Sequence, residues 1–545
     1  MVNEDMVYIT GHRHPDTDSI AASVAYAFYK RATGTKAMAV RIGNINNETD
    51  YLLKRFHIEA PPLLRDARKT LGEIELDPPE YITPETTVRS AVQKMHDTGR
   101  NSFAVLDADM KIIGYVSKSD LANMALGDTA EEIDLLRQTP VSDIADAIDG
   151  EVLYDDPEVH INGKVSIVAQ TAAGIDHYEI SDRIVIMGDD WQAQEALIRK
   201  GAGVLITVWT EKVDERVLTA AKECHCPVIR SGHGSMNTSR YLFLAPPVKL
   251  VMRKKPVMFK SKEFVETAGQ QMMKTRYRSY PVIDEEGKLI GYVARFHVLN
   301  HKMRKLILVD HNEFSQSIHE VEKAQILEVV DHHRINDFKT TQPVSFRNEI
   351  VGSTATMIAT IFRENQIPMP QNIAGLLLGA VLSDTLNFQS PTTTQKDRDT
   401  ANILAALADV DLEQFAEEMF SATASAENRS MRDLIVQDIK LFEFGDVHTM
   451  ISQVIISHIS EIKGREIEIN ATLESLVEKK DLDLLVCAFT SVLENGSVFY
   501  AAGPKSNVLA EAFPDKEGEM HTFHEGVVSR KGQILPAITK VIQEN

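Results

Sequence analysis

Short clusters rich in His and Asp, set at the two ends of the chain with a long stretch between them, constrain this sequence more than any other feature. They are His12-Arg13-His14-Pro15-Asp16-Thr17-Asp18, Leu308-Val309-Asp310-His311-Asn312, Asp331-His332-His333 and Ser383-Asp384, followed near the end by a basic Ser529-Arg530-Lys531. Each of the first four follows an apolar run: residues 7–10, 305–309, 326–330 and 374–382. In an α/β fold such runs deliver their last residues to one edge of a sheet, where ligands bind. Imidazoles and carboxylates gathered there suit borderline divalent metals and repel one another without a cation. The expectation is a two-metal site built from both ends of the chain, with the stretch between them inserted.

The spacing His12-x-x-x-Asp16-x-Asp18 has a physical reading. On a loop leaving a strand, Pro15 and the acids favour a tight turn, so the three side chains can converge. Asp16 and Asp18, two apart in an extended stretch, would point the same way and could each face a different ion. The alternative is helix capping, since Asp18 stands just ahead of a helical pattern. Taken singly, Asp310 and Asp384 read as turn or cap residues, and His332-His333 as a surface pair. Their joint occurrence after apolar runs favours one common site.

Composition narrows the partners. A net charge of −21 argues against a nucleic-acid-binding face, yet is compatible with a small anion held by metals and a few local cations. Hydrophobic residues make up 43% and charged residues 25%, as in soluble globular proteins. No apolar run reaches membrane-span length, and MVNEDMVYIT lacks a signal pattern, so no membrane partner is expected. Three cysteines cannot make a disulfide framework, and a reducing cytoplasm is the expected location. Cys224-His225-Cys226 has no second ligand pair at zinc-finger spacing and reads as structural.

The length allows roughly three to five domains. Residues 1–65 read as strand, loop (10–18), helix (19–32) and strand (37–42). Two matched blocks then occur at a constant offset of 177 residues: 101–107 with 278–284, and 111–116 with 288–293. A fixed register points to duplicated units. Each has a leading strand and helix (83–96; 257–274), then strand, turn, strand and helix. This resembles the CBS domain, a small βαββα module that works in pairs and commonly binds adenine nucleotides. Between the units, strand-like 184–190 and 203–207 flank a helix over 191–200. By its place this segment resembles a DRTGG domain, although the literal string is absent. After residue 306 the first sheet domain resumes, and the small-residue stretch 421–426 suits a linker. A final α/β domain follows: helix 430–440, strands 449–456, 482–490 and 497–502, and a last helix after Gln533.

The strings GHRHPDTDS, LVDHNE, VVDHHR, LSDTLNFQSPT and VVSRKGQ resemble the motifs of family II inorganic pyrophosphatases, in the DHH phosphoesterase superfamily. The resemblance covers roughly 1–65 and 306–545, and the middle resembles the regulatory insert of the CBS-containing subclass in its longer, DRTGG form. It implies an α/β multidomain protein: a parallel-sheet DHH catalytic domain (1–65 and 306–420), CBS domains (66–124 and 248–305) around a DRTGG-like domain (125–247), a linker (421–430) and a C-terminal substrate-binding α/β domain (431–545).

It also implies roles. His12 and Asp16 would hold one metal, Asp18, His332 and Asp384 the second, and Asp310 would bridge both. His333 would contact and polarise substrate, while Lys440, Arg530 and Lys531 would grip phosphates. Gly532 stands where the family often has a further Lys. Mixed His/carboxylate ligation favours Mn2+ or Co2+ at the tight sites, with Mg2+ arriving with substrate. Diphosphate would be hydrolysed by a metal-activated water.

In the insert, Ser117 and Asp120 fit the ribose-holding pattern, and Arg100, Lys118, Arg276, Tyr277 and Arg278 could meet nucleotide phosphates. The second unit has Ala294-Arg295-Phe296-His297 at the matching place and lacks the ribose acid. AMP and ADP are expected to inhibit, ATP or diadenosine polyphosphates to activate, and CBS pairing to give a homodimer. Two other readings compete. One is a DHH phosphodiesterase acting on cyclic dinucleotides or short oligonucleotides, disfavoured because no Gly-rich-His motif follows residue 430. The other is a non-catalytic adenylate sensor, disfavoured because every expected ligand position is filled.

Overall fold

The computed structural model describes residues 6–124, 129–336, 339–340, 342–423, 429–444, 447–516 and 521–544. Two units result. One joins the chain up to Lys69 with Lys302–Asn545, and the other is Thr70–His301.

In the first unit, five parallel strands lie in the order Ser345–Asn348, Gln325–Asp331, Lys305–Val309, Val7–Thr10 and Ala37–Val40. Helices and loops cover both faces, so the central strands are apolar almost throughout: Leu306 to Val309 are all buried. From Val7–Thr10 the chain builds outward to Ala37–Val40. From the adjacent Lys305–Val309 it builds the opposite way. The order therefore reverses between these two strands, and their carboxyl ends open the crevice in which such sheets bind ligands.

Helices Thr17–Ala32, Thr354–Glu364 and Gln371–Asp384 close one face through Ile20, Ala25, Ile358, Leu377 and Val381. The apolar run 374–382, expected to feed a sheet edge, lies inside the last of these helices. A run buried on all sides has no readable period, and only its length favours a helix. A Cβ on Gly375 would fall 2.1 Å from the Phe56 ring, so this helix packs through glycine against Asn47–Arg55.

The C-terminal part carries a mixed sheet ordered Ile439–Phe444, Val447–Ile456, Leu484–Ser491, Gly496–Ala502 and His524–Glu525, with a separate core on each face. The helix expected over 430–440 ends at Gln437, and Lys440 lies on the first strand. Asp438 leaves helical geometry (φ −132°, ψ 63°) and starts the pairing of Ile439 with Ser452. Of the expected linker 421–430, residues up to 423 continue the helix Leu412–Thr423, and 424–428 lie outside the described residues.

The second unit holds the two matched modules. Tyr81–Ile82, Val88–Asp97, Ser102–Leu106, Ile112–Ser117 and Lys118–Met124 repeat as Phe259–Lys260, Val265–Met273, Ser279–Ile283, Leu289–Ala294 and Arg295–Asn300. The modules meet at equivalent residues: Ser102 Oγ lies 3.0 Å from Ser279 Oγ, Tyr115 OH donates to Ser279 O, and Tyr292 OH accepts from Ala104 N–H. Between them in sequence, a sheet ordered Glu151–Tyr154, Val228–Arg230, Val204–Thr207, Ile184–Met187 and Val165–Val168 carries the expected helix as Trp191–Arg199. No helix among the described residues is long and apolar enough to cross a membrane.

Buried Asp397 ties this scaffold to the sheet edge. It accepts from Gly352 N–H at 2.8 Å, Thr356 Oγ at 2.7 Å and Thr394 Oγ at 2.7 Å, fixing the turn that opens the Thr354–Glu364 helix. Asp397→Ala leaves these donors unpaired and is expected to cost about 3 kcal/mol. Denaturant titration of the variant should show the lowered midpoint.

Candidate metal centre

His12 follows the Val7–Thr10 strand and Asp310 follows Lys305–Val309, which places both at the reversal of strand order. Gly11 permits the first loop: a Cβ there would lie 1.9 Å from Ser19 Oγ, which accepts from His12 N–H. Asp310 itself has φ 60°, a left-handed conformation that strains a non-glycine residue.

Asp310 is the hub. Its Oδ2 faces His12 Nε2 at 3.5 Å and its Oδ1 faces His332 Nε2 at 3.6 Å. Around it two constellations could each hold an ion, His12–Asp16–Asp310 and Asp18–Asp310–His332–Asp384; a further group joins His333 to Asp310 and His332. The sheet edge thus brings together all seven acids and histidines predicted here. Their separation differs from the expected one. The helix already begins at Thr17, so Asp16 and Asp18 do not share an extended stretch. Asp16 is the helix N-cap, accepting from Ser19 N–H at 2.9 Å, while its other oxygen meets His12 Nε2 at 3.2 Å. Capping and a ligand-like position coexist in one side chain. Asp18, two residues further on in the first turn, points to the start of the Thr354–Glu364 helix and accepts from Ser353 Oγ, Thr354 N–H and Ala355 N–H.

Asp384 closes a helix rather than a strand, and three consecutive left-handed residues, Leu386, Asn387 and Phe388, turn the chain sharply behind it. Each left-handed residue costs about 1–2 kcal/mol. Thr385 braces the turn by donating to Val381 O and accepting from Phe388 N–H.

The electrostatics are those of an acid cluster. Burial, then Asp18, Asp16 and Asp384, push the Asp310 carboxyl well above the usual range. Burial and the same two neighbours, Asp18 and Asp16, do so for Asp384. Asp18 is raised mainly by burial. Burial would raise Asp16 too, but the His12 imidazole and the Ser19 amide outweigh it and hold Asp16 at about 2. His332 Nδ1 is 3.0 Å from Val351 O, which fixes that nitrogen as the donor. Its buried Nε2 then presents a lone pair toward Asp310 and Asp384 with no hydrogen-bond partner. An orphaned basic nitrogen between carboxylates fits a divalent cation.

Three groups behind the cluster were not singled out in the sequence. Asp331 holds His333 through Nδ1 at 2.9 Å and is itself held by Asn312; nothing in Asp-His-His separates a ligand from its support. Ser353-Thr354 had a readable signal, a Ser before an apolar helical run. Half-buried Glu48 accepts from the hydroxyls of Thr17 and Ser383, each adjacent to an acid of the site. Its own motif reads only as a helix start. His311 stays structural, spanning Val309 O and Ser317 Oγ, with burial pushing it down to about 4.

The predicted cations stand nearby. Lys440 is accessible, yet the surrounding protein and Arg530 hold its ammonium below its usual pKa, and it acts on His12 and Asp16. Lys531 acts on Asp384. Arg530 is buried and donates to the Asp438 carbonyl and carboxylate, with its Nε unpaired. Gly532 N–H donates to Ser529 Oγ.

In the second unit, Ser117 is bonded to Asp120, and Tyr277 packs edge-on to Tyr115. Arg100 lies over Tyr292 beside Glu80, away from them. Lys118, Arg276 and Arg278 are exposed. Cys224 is exposed and Cys226 buried, and no candidate metal group among the described residues includes either.

A parallel sheet carrying His/Asp clusters at its reversal point, followed by a smaller α/β domain with basic residues, defines a DHH-type phosphoesterase core. The family models agree: the DHH family N-terminal domain matches residues 6–381 and the DHHA2 domain matches 417–541. Over 99% of both chains, the sequence is 35% identical to a cobalt-dependent inorganic pyrophosphatase of Clostridium perfringens and 33% identical to a probable manganese-dependent inorganic pyrophosphatase of Thermotoga maritima. A crystal structure of the CBS and DRTGG domains of the Clostridium perfringens pyrophosphatase, complexed with its activator diadenosine tetraphosphate, covers 42% of this chain and 99% of that one at 27% identity, with a TM-score of 0.38. The chain belongs to the family II inorganic pyrophosphatases.

Glu48→Gln should loosen the placement of Asp16, Asp18 and Asp384 without removing a ligand. Its expected effect is a 10- to 100-fold loss of Mn2+ affinity, of the order of a support-residue effect (~10–100-fold), read by metal titration.

Proposed function

We propose that this chain hydrolyses inorganic diphosphate to two phosphates at a pair of divalent cations, cobalt or manganese as named for its full-length relatives, with Mg2+ accompanying the substrate. One observation carries the reading: the two oxygens of buried Asp310 face two different imidazoles, each within its own ligand group. His12, Asp16 and Asp310 would hold one ion, and Asp18, Asp310, His332 and Asp384 the other. Bound there, the cations supply neutralisation of the diphosphate charge and acidification of an attacking water. The chain's own residues do the rest. Asp331 orients His333, whose ring is half-exposed beside Asp310 and free to reach a substrate oxygen. Lys440, Arg530 and Lys531 would bind the phosphates and stabilise charge on the leaving group. The lowered Lys440 pKa makes its proton easier to share with a phosphate oxygen.

The insert is the regulatory part. Adenine nucleotides would bind at the CBS modules through Ser117 and Asp120, with Tyr277 and the exposed Lys118, Arg276 and Arg278 near the phosphates. Arg100, over Tyr292, belongs to the matching second cleft. AMP and ADP inhibit and ATP or diadenosine polyphosphates activate under this reading, and the CBS pair joins two chains in a homodimer. We assign the segments as 1–65 and 306–420 catalytic, 66–124 and 248–305 CBS, 125–247 DRTGG-like, 421–430 linker and 431–545 substrate-binding. A reducing cytoplasm suits the three free cysteines.

Asp310→Asn should lower diphosphate hydrolysis about 10³-fold, equivalent to ~4 kcal/mol, and reduce bound Mn2+ below two per chain by elemental analysis. Near-normal rate and metal content would refute the bridging role. The phosphate-release assay should favour diphosphate over an oligonucleotide and a cyclic dinucleotide, and should fall on adding AMP.

Cation loading should release protons. In the folded, cation-free protein Asp310 and Asp384 keep protons that the unfolded chain has already lost, so stability falls as pH rises from the ordinary carboxylate range to their raised values. A cation displaces those protons, and Mn2+ affinity therefore rises with pH across that window. Calorimetric heats of binding should vary with the ionisation enthalpy of the buffer; buffer-independent heats would contradict this.

A further inference from the structure

One network in the second unit joins residues of both CBS modules through a side chain that the sequence did not single out. Arg253 lies just ahead of the Phe259–Lys260 strand that opens the second module's sheet, and its backbone is locked to Tyr115: Arg253 N–H donates to Tyr115 O at 2.9 Å, and Tyr115 N–H to Arg253 O at 3.0 Å. From this fixed root the guanidinium reaches Asp120, with Nε at 2.9 Å and Nη2 at 2.5 Å from Oδ1. Its Nη1 donates to Tyr277 OH at 3.0 Å. Asp120 Oδ2 accepts from Ser117 Oγ at 2.7 Å and Ser117 N–H at 3.1 Å. Three of the expected nucleotide residues, Ser117, Asp120 and Tyr277, thus converge on Arg253.

A carboxylate offers about four acceptor sites. Here Arg253 fills two and Ser117 two, so a ribose diol can reach Asp120 only by displacing a donor. The Ser117 bonds are local to one turn. The guanidinium is the movable partner: its side chain is about half exposed, whereas the Asp120 carboxylate it would leave is mostly buried and held by Ser117. Once displaced, Arg253 stays anchored beside Tyr115 and Tyr277 with its planar fork open, and that fork suits a phosphate.

The matching place in the second module is built from different groups. Tyr292, 177 residues after Tyr115, pairs its backbone with Asp77, and His297, 177 residues after Asp120, faces that carboxylate at 3.7 Å. His297 stands there in place of the acid, and the Arg100 guanidinium over Tyr292 pairs with Glu80 instead, so an exchange at a ribose-holding carboxylate belongs to the first cleft.

We propose that Arg253 is the phosphate-reading residue of the first nucleotide cleft, exchanging Asp120 for the phosphate of a ligand that brings ribose and phosphate together. This rests on the nucleotide reading given above and adds what that reading lacks, a reason for the cleft to take nucleotides over nucleosides. Adenosine displaces Arg253 without giving it a new partner, whereas AMP supplies one.

The test is calorimetric titration of the full-length protein with AMP and with adenosine, for the wild type, Arg253→Ala and Arg253→Lys, each checked for unchanged thermal unfolding. The wild type should prefer AMP. Arg253→Ala should bind adenosine at least as tightly as the wild type and AMP more weakly, lowering the AMP-to-adenosine preference by about tenfold, the scale of one charge-assisted contact. Arg253→Lys should keep part of the preference. An unchanged preference in Arg253→Ala, or a parallel loss of both ligands, would overturn the role of Arg253 while leaving nucleotide binding intact. A wild type that binds neither ligand would overturn the nucleotide reading and this proposal with it.

Discussion

Mutual repulsion among buried carboxylates governs this molecule. Asp18 and Asp310 are buried, and the partly exposed Asp384 and Asp16 join them at one sheet edge. Isolated buried charge is far too costly to persist. The protein relieves part of it with the amides that open the Thr354–Glu364 helix, which bond Asp18, and with the His12 imidazole, which bonds Asp16. What remains is met either by protons, as the raised Asp310 and Asp384 values express, or by cations. The strained backbone at Asp310 and at residues 386–388 is set where it keeps these oxygens facing one another.

The same constraint explains how one catalytic domain survives a long interruption. Its central strands, Val7–Thr10 and Lys305–Val309, pair in parallel although the insert separates them in sequence. The neck is secured within the first unit: buried Arg304 donates to the carbonyls of Ala67 and Arg68, and Asp66 binds both Arg68 and His319. The second unit can therefore enter the sequence between the two strands that carry His12 and Asp310 without unfixing either side chain.

Much of this was legible because ligand clusters and repeats are local patterns. The first three clusters follow strands as their apolar runs imply, and the offset of 177 residues reappears as the meeting of Ser102 with Ser279. Legibility failed where a pattern carries no period or where support comes from afar. Residues 374–382 are apolar on every side, so no period marked them as helix and only their length did. Lys440 sits just past a helix end that turns on Asp438 leaving helical geometry. Glu48 and Arg253 act through partners hundreds of residues or a module away, and no spacing announces such contacts.

The central claim is that Asp310 stands between two cations held by side chains from both ends of the chain. Anomalous diffraction from crystals grown with Mn2+ tests it most directly. The account predicts two peaks flanking Asp310, one shared with His12 and Asp16 and the other with Asp18, His332 and Asp384. A single peak, or peaks that leave Asp310 without a metal on either side, would contradict it.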